Sequence, residues 1–115
     1  MFDVIFRNGN VFDSVNAAFV KADVAIAGEK IAKVGDLSAE QAKVEVDAAD
    51  CMVVPGLMDG HLHLFTKGSD EGIPADLSLL PNGITSAVDG GTAGVSTYDA
   101  FHHIDIQNRI ASDKA

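Results

Sequence analysis

Apolar and polar positions change rhythm once along this chain, and the change divides it in two. Up to Val54 the apolar residues come in short runs with a period of two, the spacing of a strand that buries one face. Phe2, Val4 and Phe6 share one side of such a run, and Asn8-Gly9 follows, a dipeptide suited to a tight turn, so a hairpin is expected there. Val24 and Ile26 precede Gly28-Glu29, and Ile31 to Val34 returns, a second hairpin pattern. Asp36 to Lys43 is a polar connector with room for a helical turn. Val44 and Val46 then alternate with charged neighbours, and Cys51 to Val54 forms a continuous apolar strand. The first 54 residues are therefore expected to form a small, mostly antiparallel sheet.

After Pro55 the order becomes strand, loop, helix, strand, as in parallel βαβ units. Leu57 to Leu64 reads as a buried strand, Phe65 to Pro74 as a polar loop, Ala75 to Leu80 as a short helix and Ile84 to Val88 as a second strand. Val95, Tyr98, Phe101, Ile104 and Ala111 recur near helical spacing and predict an amphipathic helix from Ser96 to Ser112, with Ser96 or Thr97 as its N-cap. No repeat or low-complexity tract interrupts this order.

The chemistry concentrates in Pro55-Gly56-Leu57-Met58-Asp59-Gly60-His61-Leu62-His63. On a strand His61 and His63 leave the same face with Cα atoms roughly 6.6 Å apart, and Asp59 shares that face. Met58, Leu62 and Leu64 leave the opposite one. Two imidazoles so placed can converge on one divalent ion with bonds of roughly 2.0–2.1 Å.

This stretch resembles the amidohydrolase superfamily of metal-dependent hydrolases, whose first barrel strand carries Pro-Gly-x-x-Asp-x-His-x-His. Asp3 to Asp13 and Asp23 to Gly35 resemble the family's small β-domain. Gly83 to Gly94 resembles the second barrel strand and its loop in the dihydroorotase-like and deacetylase-like branch. The resemblance implies an α/β fold with a small all-β part: an N-terminal antiparallel sheet over residues 1–54, then the first two βα units of an incomplete (β/α)8 TIM barrel over residues 55–115. It implies His61 and His63 as ligands of a divalent metal, zinc foremost, with one or two ions in the intact protein. Asp59 is implied as a support that orients an imidazole or the strand end. The reaction implied is hydrolysis of C–N bonds in a small-molecule amide, cyclic amide or N-acyl amino acid. Asp89, at the end of the second strand, could touch a ligand, though organisation of its own loop is the leading expectation.

Other candidates fall away on geometry. His102 and His103 are neighbours on an expected helix, where side chains point about 100° apart and do not share an ion. Gly90-Gly91-Thr92-Ala93-Gly94 matches neither phosphate-binding pattern. Asp70 and Glu71 read as solvated loop charges, and Lys114 as part of a polar tail.

Length and charge narrow the picture further. A complete (β/α)8 barrel takes about 250 residues, and this chain has 115, too few for its own motif. As a separate polypeptide it should be catalytically inactive, needing the remainder of the barrel or self-association to complete its fold. The rival reading is a non-catalytic chain that binds a metal or a partner polypeptide. An apolar fraction of 47% with 22% charged residues argues for a folded core. A net charge of −9 argues against nucleic acid or anionic membranes as partners. The single Cys51 beside Met52-Val53-Val54 is expected to be buried and inert. No cationic leader and no long apolar run are present, so the cytoplasm is the expected compartment.

Overall fold

The computed structural model describes residues 1–107 and the backbone of Ser112–Lys114. Two compact units divide it, Met1–Pro55 and Gly56–Ala115. The fold is α/β with a small β part, built mostly of strands.

In the first unit β1 (Phe2–Asp13), β2 (Ala18–Ala27), β3 (Lys30–Gly35), β4 (Ala42–Asp47) and the short β5 (Met52–Val53) form one sheet in the order β3-β2-β1-β4, with β5 beside the far end of β1. The expected turn at Asn8-Gly9 does not form. β1 runs straight through as a 12-residue strand, and the dipeptide instead makes an irregularity in its pairing with β2 between Phe6 and Gly9. Asn8 takes the left-handed conformation, with φ of 62°, that suits an Asn. Its N–H donates to Asp23 Oδ1 at 2.8 Å, so the bulge is paid for by a neighbouring carboxylate rather than by the ladder.

The sheet is mixed where an antiparallel one was expected. β1–β2 and β2–β3 are antiparallel, but β4 and β5 both pair with β1 in parallel. β3 occupies the free edge of β2, and the chain then crosses to the free edge of β1, where β4 runs in the same direction as β1. The crossing connector lays Leu37, 1% exposed, over Ile5 and Ala25, both fully buried, making the core of this unit. Arg7 fastens the crossing. Its guanidinium donates to Leu37 O at 2.7 Å and Glu40 O at 2.9 Å, and grips Glu45 through both oxygens at 2.7 and 3.1 Å. The opposite face pairs Val4 with Ile26 and Val44, Phe6 with Val24 and Val46, Ile26 with Ile31, and Val24 with Val34. Cross-strand partners share a face, so these side chains form one apolar surface, whose outer members Ile31, Val34 and Val44 are more than half exposed. Cys51 is also exposed rather than buried, because the strand that was to bury it shrinks to Met52–Val53.

In the second unit β6 (Leu57–Leu62), β7 (Ile84–Asp89) and β8 (Ser112–Lys114) are parallel neighbours in that order. Between β6 and β7 the chain forms α1 (Ala75–Ser78) and a 3-10 turn at Leu80–Asn82. The core of this unit is Leu64, Phe65, Ala75, Leu79, Ala87 and Phe101, and the Phe65 and Phe101 rings lie 5.5 Å apart in a tilted pair.

The long helix expected from Ser96 to Ser112 is replaced by α2 (Tyr98–Phe101) and a π-helical turn at His102–Ile106. Asn108 to Ala111 of the expected helix lie outside the described residues, and Ser112 belongs to β8. Lys114 is likewise in β8, not in a tail. The wider turn, closed by Gln107 N–H donating to His102 O, rotates the residues beyond Phe101. Asp105 therefore becomes buried while Ile104, an expected core position, is 44% exposed. Thr97 sits at the N-cap but makes no side-chain cap bond; its hydroxyl bonds to Gly94 N–H at 2.9 Å.

Candidate metal centre

His61 lies in β6 and His63 one residue beyond its end, on the side of the sheet edge where the parallel strands finish. Their ring centroids are 5.4 Å apart with the planes nearly perpendicular. Leu64 is fully buried in the core and Leu62 packs partly against it, which holds the intervening backbone in place. His63 Nδ1 is buried and meets no hydrogen-bond partner among the described residues. Its Nε2 lies 3.8 Å from Glu71 Oε2, beyond hydrogen-bond length. Glu71, read from the sequence as a solvated loop charge, is thus the carboxylate nearest this imidazole, though its own side chain is 74% exposed. Asp70 is exposed.

Asp59 works on the backbone. Its Oδ1 accepts the His61 N–H at 3.0 Å, a local turn that fixes the end of β6 without touching either ring.

Asp89 ends β7 and gathers the loops. It accepts the N–H groups of Leu64 at 3.0 Å, Gly91 at 3.2 Å and Ala93 at 2.9 Å, together with the Thr92 hydroxyl. Thr92 Oγ1 in turn accepts the Phe65 N–H at 3.2 Å. Burial raises the Asp89 pKa, but the hydrogen bonds led by Leu64 N–H and the Thr92 hydroxyl outweigh it and hold the carboxyl below the usual carboxylate range. Asp89 and Thr92 therefore grip the two residues that follow His63. Thr92 escaped notice in the sequence, although its position three residues after an Asp in a Gly-rich turn is the spacing at which such a hydroxyl folds back.

His102 and His103 stand elsewhere, with His103 Nδ1 2.8 Å from Asp99 O within its own helix. Among the described residues no three His, Cys, Asp or Glu side chains converge as a metal site. The candidate centre is a pair of imidazoles, one with a buried nitrogen that meets no partner among the described residues. That nitrogen donor set fits a borderline divalent ion such as zinc.

Comparison with known proteins bears on the fold and the family. No family model matches the chain. The adenine deaminase of Bacillus velezensis is 33% identical over 86 residues, which is 75% of this chain and 14% of that protein. The crystal structure of a dihydroorotase superposes with a TM-score of 0.79 at 30% identity, covering 97% of this chain and 30% of that one. N-acyl-D-glutamate deacylase from Bordetella bronchiseptica, complexed with zinc and a phosphonate inhibitor, gives a TM-score of 0.65 at 29% identity over 77% of this chain and 18% of its own. Membership of the amidohydrolase superfamily is what these proteins have in common. The chain belongs to the amidohydrolase superfamily. It spans 14–15% of the length of the curated relatives it matches.

Proposed function

We propose that this chain supplies the His-x-His half of a divalent metal centre, in a hydrolase that cleaves C–N bonds of small molecules with water. The observation that carries this is the 5.4 Å approach of the His61 and His63 rings at the finishing ends of paired parallel strands, where barrel enzymes keep their sites. His61 and His63 are the ligands in this reading, and zinc is the metal, as in the Bordetella deacylase. When bound, a divalent ion supplies Lewis acidity, lowering the pKa of coordinated water toward about 7 and polarising the carbon under attack. Asp59 fixes the His61 backbone, and Asp89 with Thr92 fixes the segment that leaves His63. The substrate class is the one shared by the relatives' names: amides, cyclic amides, N-acyl amino acids, and the amino-substituted ring carbon of adenine. The proposed compartment is the cytoplasm, since a lone cysteine provides no disulfide framework. Among the described residues no helix is long and apolar enough to cross a membrane.

By itself the 115-residue chain should not turn over substrate. A catalytic zinc site keeps three protein ligands, and two are present among the described residues. The test measures retained zinc and hydrolysis of N-acyl-D-amino acids, dihydroorotate, hydantoin and adenine. It compares this chain, its His61→Ala/His63→Ala variant and a chain extended with the remaining barrel strands. Zinc retention that survives the double substitution would sink the metal assignment. Hydrolysis by the short chain, lost in the double variant, would overturn the incomplete-site reading.

A second reading is favoured by the apolar face of the first unit, with Ile31 at 62%, Val34 at 51% and Val44 at 53% exposure. A chain presenting such a face can serve as a non-catalytic module that meets further polypeptide or another copy of itself. Light scattering across a concentration series, for the chain and an Ile31→Lys/Val44→Lys variant, separates this reading from a monomeric module.

A further inference from the structure

We propose that Gly90 is a positioning residue for His61: by lacking a Cβ it leaves the space in which the imidazole sits, and so sets where that ring can meet a metal ion. A Cβ at this position would stand 2.8 Å from His61 Nε2, 2.9 Å from Cδ2 and 3.0 Å from Cε1. These are distances at or inside the limit that carbon contacts tolerate, and all three atoms belong to the same ring. The usual reason for a glycine does not operate at residue 90. Its φ lies outside the left-handed region, whereas the adjacent Gly91 has φ of 99° and open space where its Cβ would be. Gly91 meets a demand of the backbone, and Gly90 meets a demand of its neighbour.

Gly90 also cannot step aside easily. Its N–H donates to Leu62 O at 2.5 Å, at the peptide between the two histidines, and Asp89 before it is held by four donors. On the other side, Asp59 holds the His61 backbone through the N–H. With both backbones fastened, an added methyl must be absorbed by rotation of the imidazole, which moves its nitrogens from the positions they hold beside the His63 ring.

The inference rests on the metal reading above, and the experiment separates the two. Gly90→Ala is compared with the parent chain in three measurements. The first is Zn²⁺ affinity by calorimetry with the metal alone. The second is the imidazole C–H spectrum of the metal-free chain. The third is urea unfolding, followed by circular dichroism, in the presence and absence of His61→Ala. Zn²⁺ affinity should fall by roughly 10–100-fold, the range seen when a group that orients a ligand is lost. The His61 resonances should move while those of His102 and His103 stay in place. The drop in urea midpoint caused by Gly90→Ala should shrink once His61 is already Ala, since the colliding ring is gone.

Equal Zn²⁺ affinity in parent and variant, or a midpoint drop undiminished by His61→Ala, overturns the role of Gly90 and leaves the metal reading intact. A parent chain without measurable Zn²⁺ affinity overturns the metal reading, and the proposed role falls with it even if the steric coupling is found.

Discussion

Asp105 accepts two hydrogen bonds from Thr66, the backbone N–H at 3.2 Å and the hydroxyl at 2.7 Å, with its carboxylate 1% exposed. The pair joins the π-helical turn to the loop that leaves His63, two elements 39 residues apart in the chain. Leaving a buried hydrogen-bonding group without its partner costs about 1–3 kcal/mol, and removing the acceptor strands its donors. Thr66→Val should therefore lower unfolding free energy by about 1–3 kcal/mol. Asp105→Ala should cost more, because it also leaves the Thr66 N–H unpaired. Urea titration read by circular dichroism checks both, and equal stability of Asp105→Ala and parent would refute the latch.

Asp89 makes a prediction in acid. Its folded pKa lies below the ordinary value, so the stability it contributes is fully present above the unfolded pKa of about 3.9 and is lost as pH falls through the lower folded value. Asp89→Asn should be less stable at pH 7, and its stability profile should be flatter than the parent's below about pH 3.9. Unfolding midpoints in urea at a series of pH values would reveal this; parallel profiles throughout would show that Asp89 is not a source of the acid sensitivity.

Arg7 should not be replaceable by Lys. The guanidinium reaches the carbonyls of Leu37 and Glu40 and both oxygens of Glu45 at once, a fork that a single ammonium cannot reproduce. Arg7→Lys should loosen the connector between β3 and β4 first. Amide exchange at Leu37 and Glu40 should speed up while amides of β6 and β7 keep their rates, and uniform protection across the connector would contradict the fastening role.

Phe101 is fully buried against Phe65 and is the one aromatic that its short helix sends into the core. Phe101→Ala should cost about 3–5 kcal/mol, the range for emptying a buried Phe site. Tyr98→Ala, at a side chain 43% exposed, should cost far less. Thermal unfolding of the two variants compares them directly, and similar losses would mean that this segment does not pack as described.

The local pattern of the chain carried the Gly28 hairpin, the parallel βαβ arrangement after Pro55 and the placing of His61 and His63 at the end of one strand. Each of these follows from short-range periodicity or from two residues on one strand, information that lies within a few positions of itself. The sequence did not reveal that Asn8-Gly9 bulges within a continuous β1. Turn and bulge use the same left-handed residue, and the choice depends on Asp23, fifteen residues away, reaching the Asn8 N–H. Nor did it show β4 parallel to β1, since that pairing depends on the 36–41 connector crossing the sheet, where Leu37 packs on Ile5 and Ala25, residues distant in the chain. Helical spacing from Val95 to Ala111 was real at Phe101, but the burial of Asp105 against Thr66 accompanies a wider turn that no local propensity encodes. Around the histidines the same division holds. The His-x-His spacing set which side chains meet, and Glu71 approaches His63 within one loop, whereas Gly90 beneath His61 and the Asp89–Thr92 grip on Leu64 and Phe65 are contacts between separate loops, which exist only once β6 and β7 have paired.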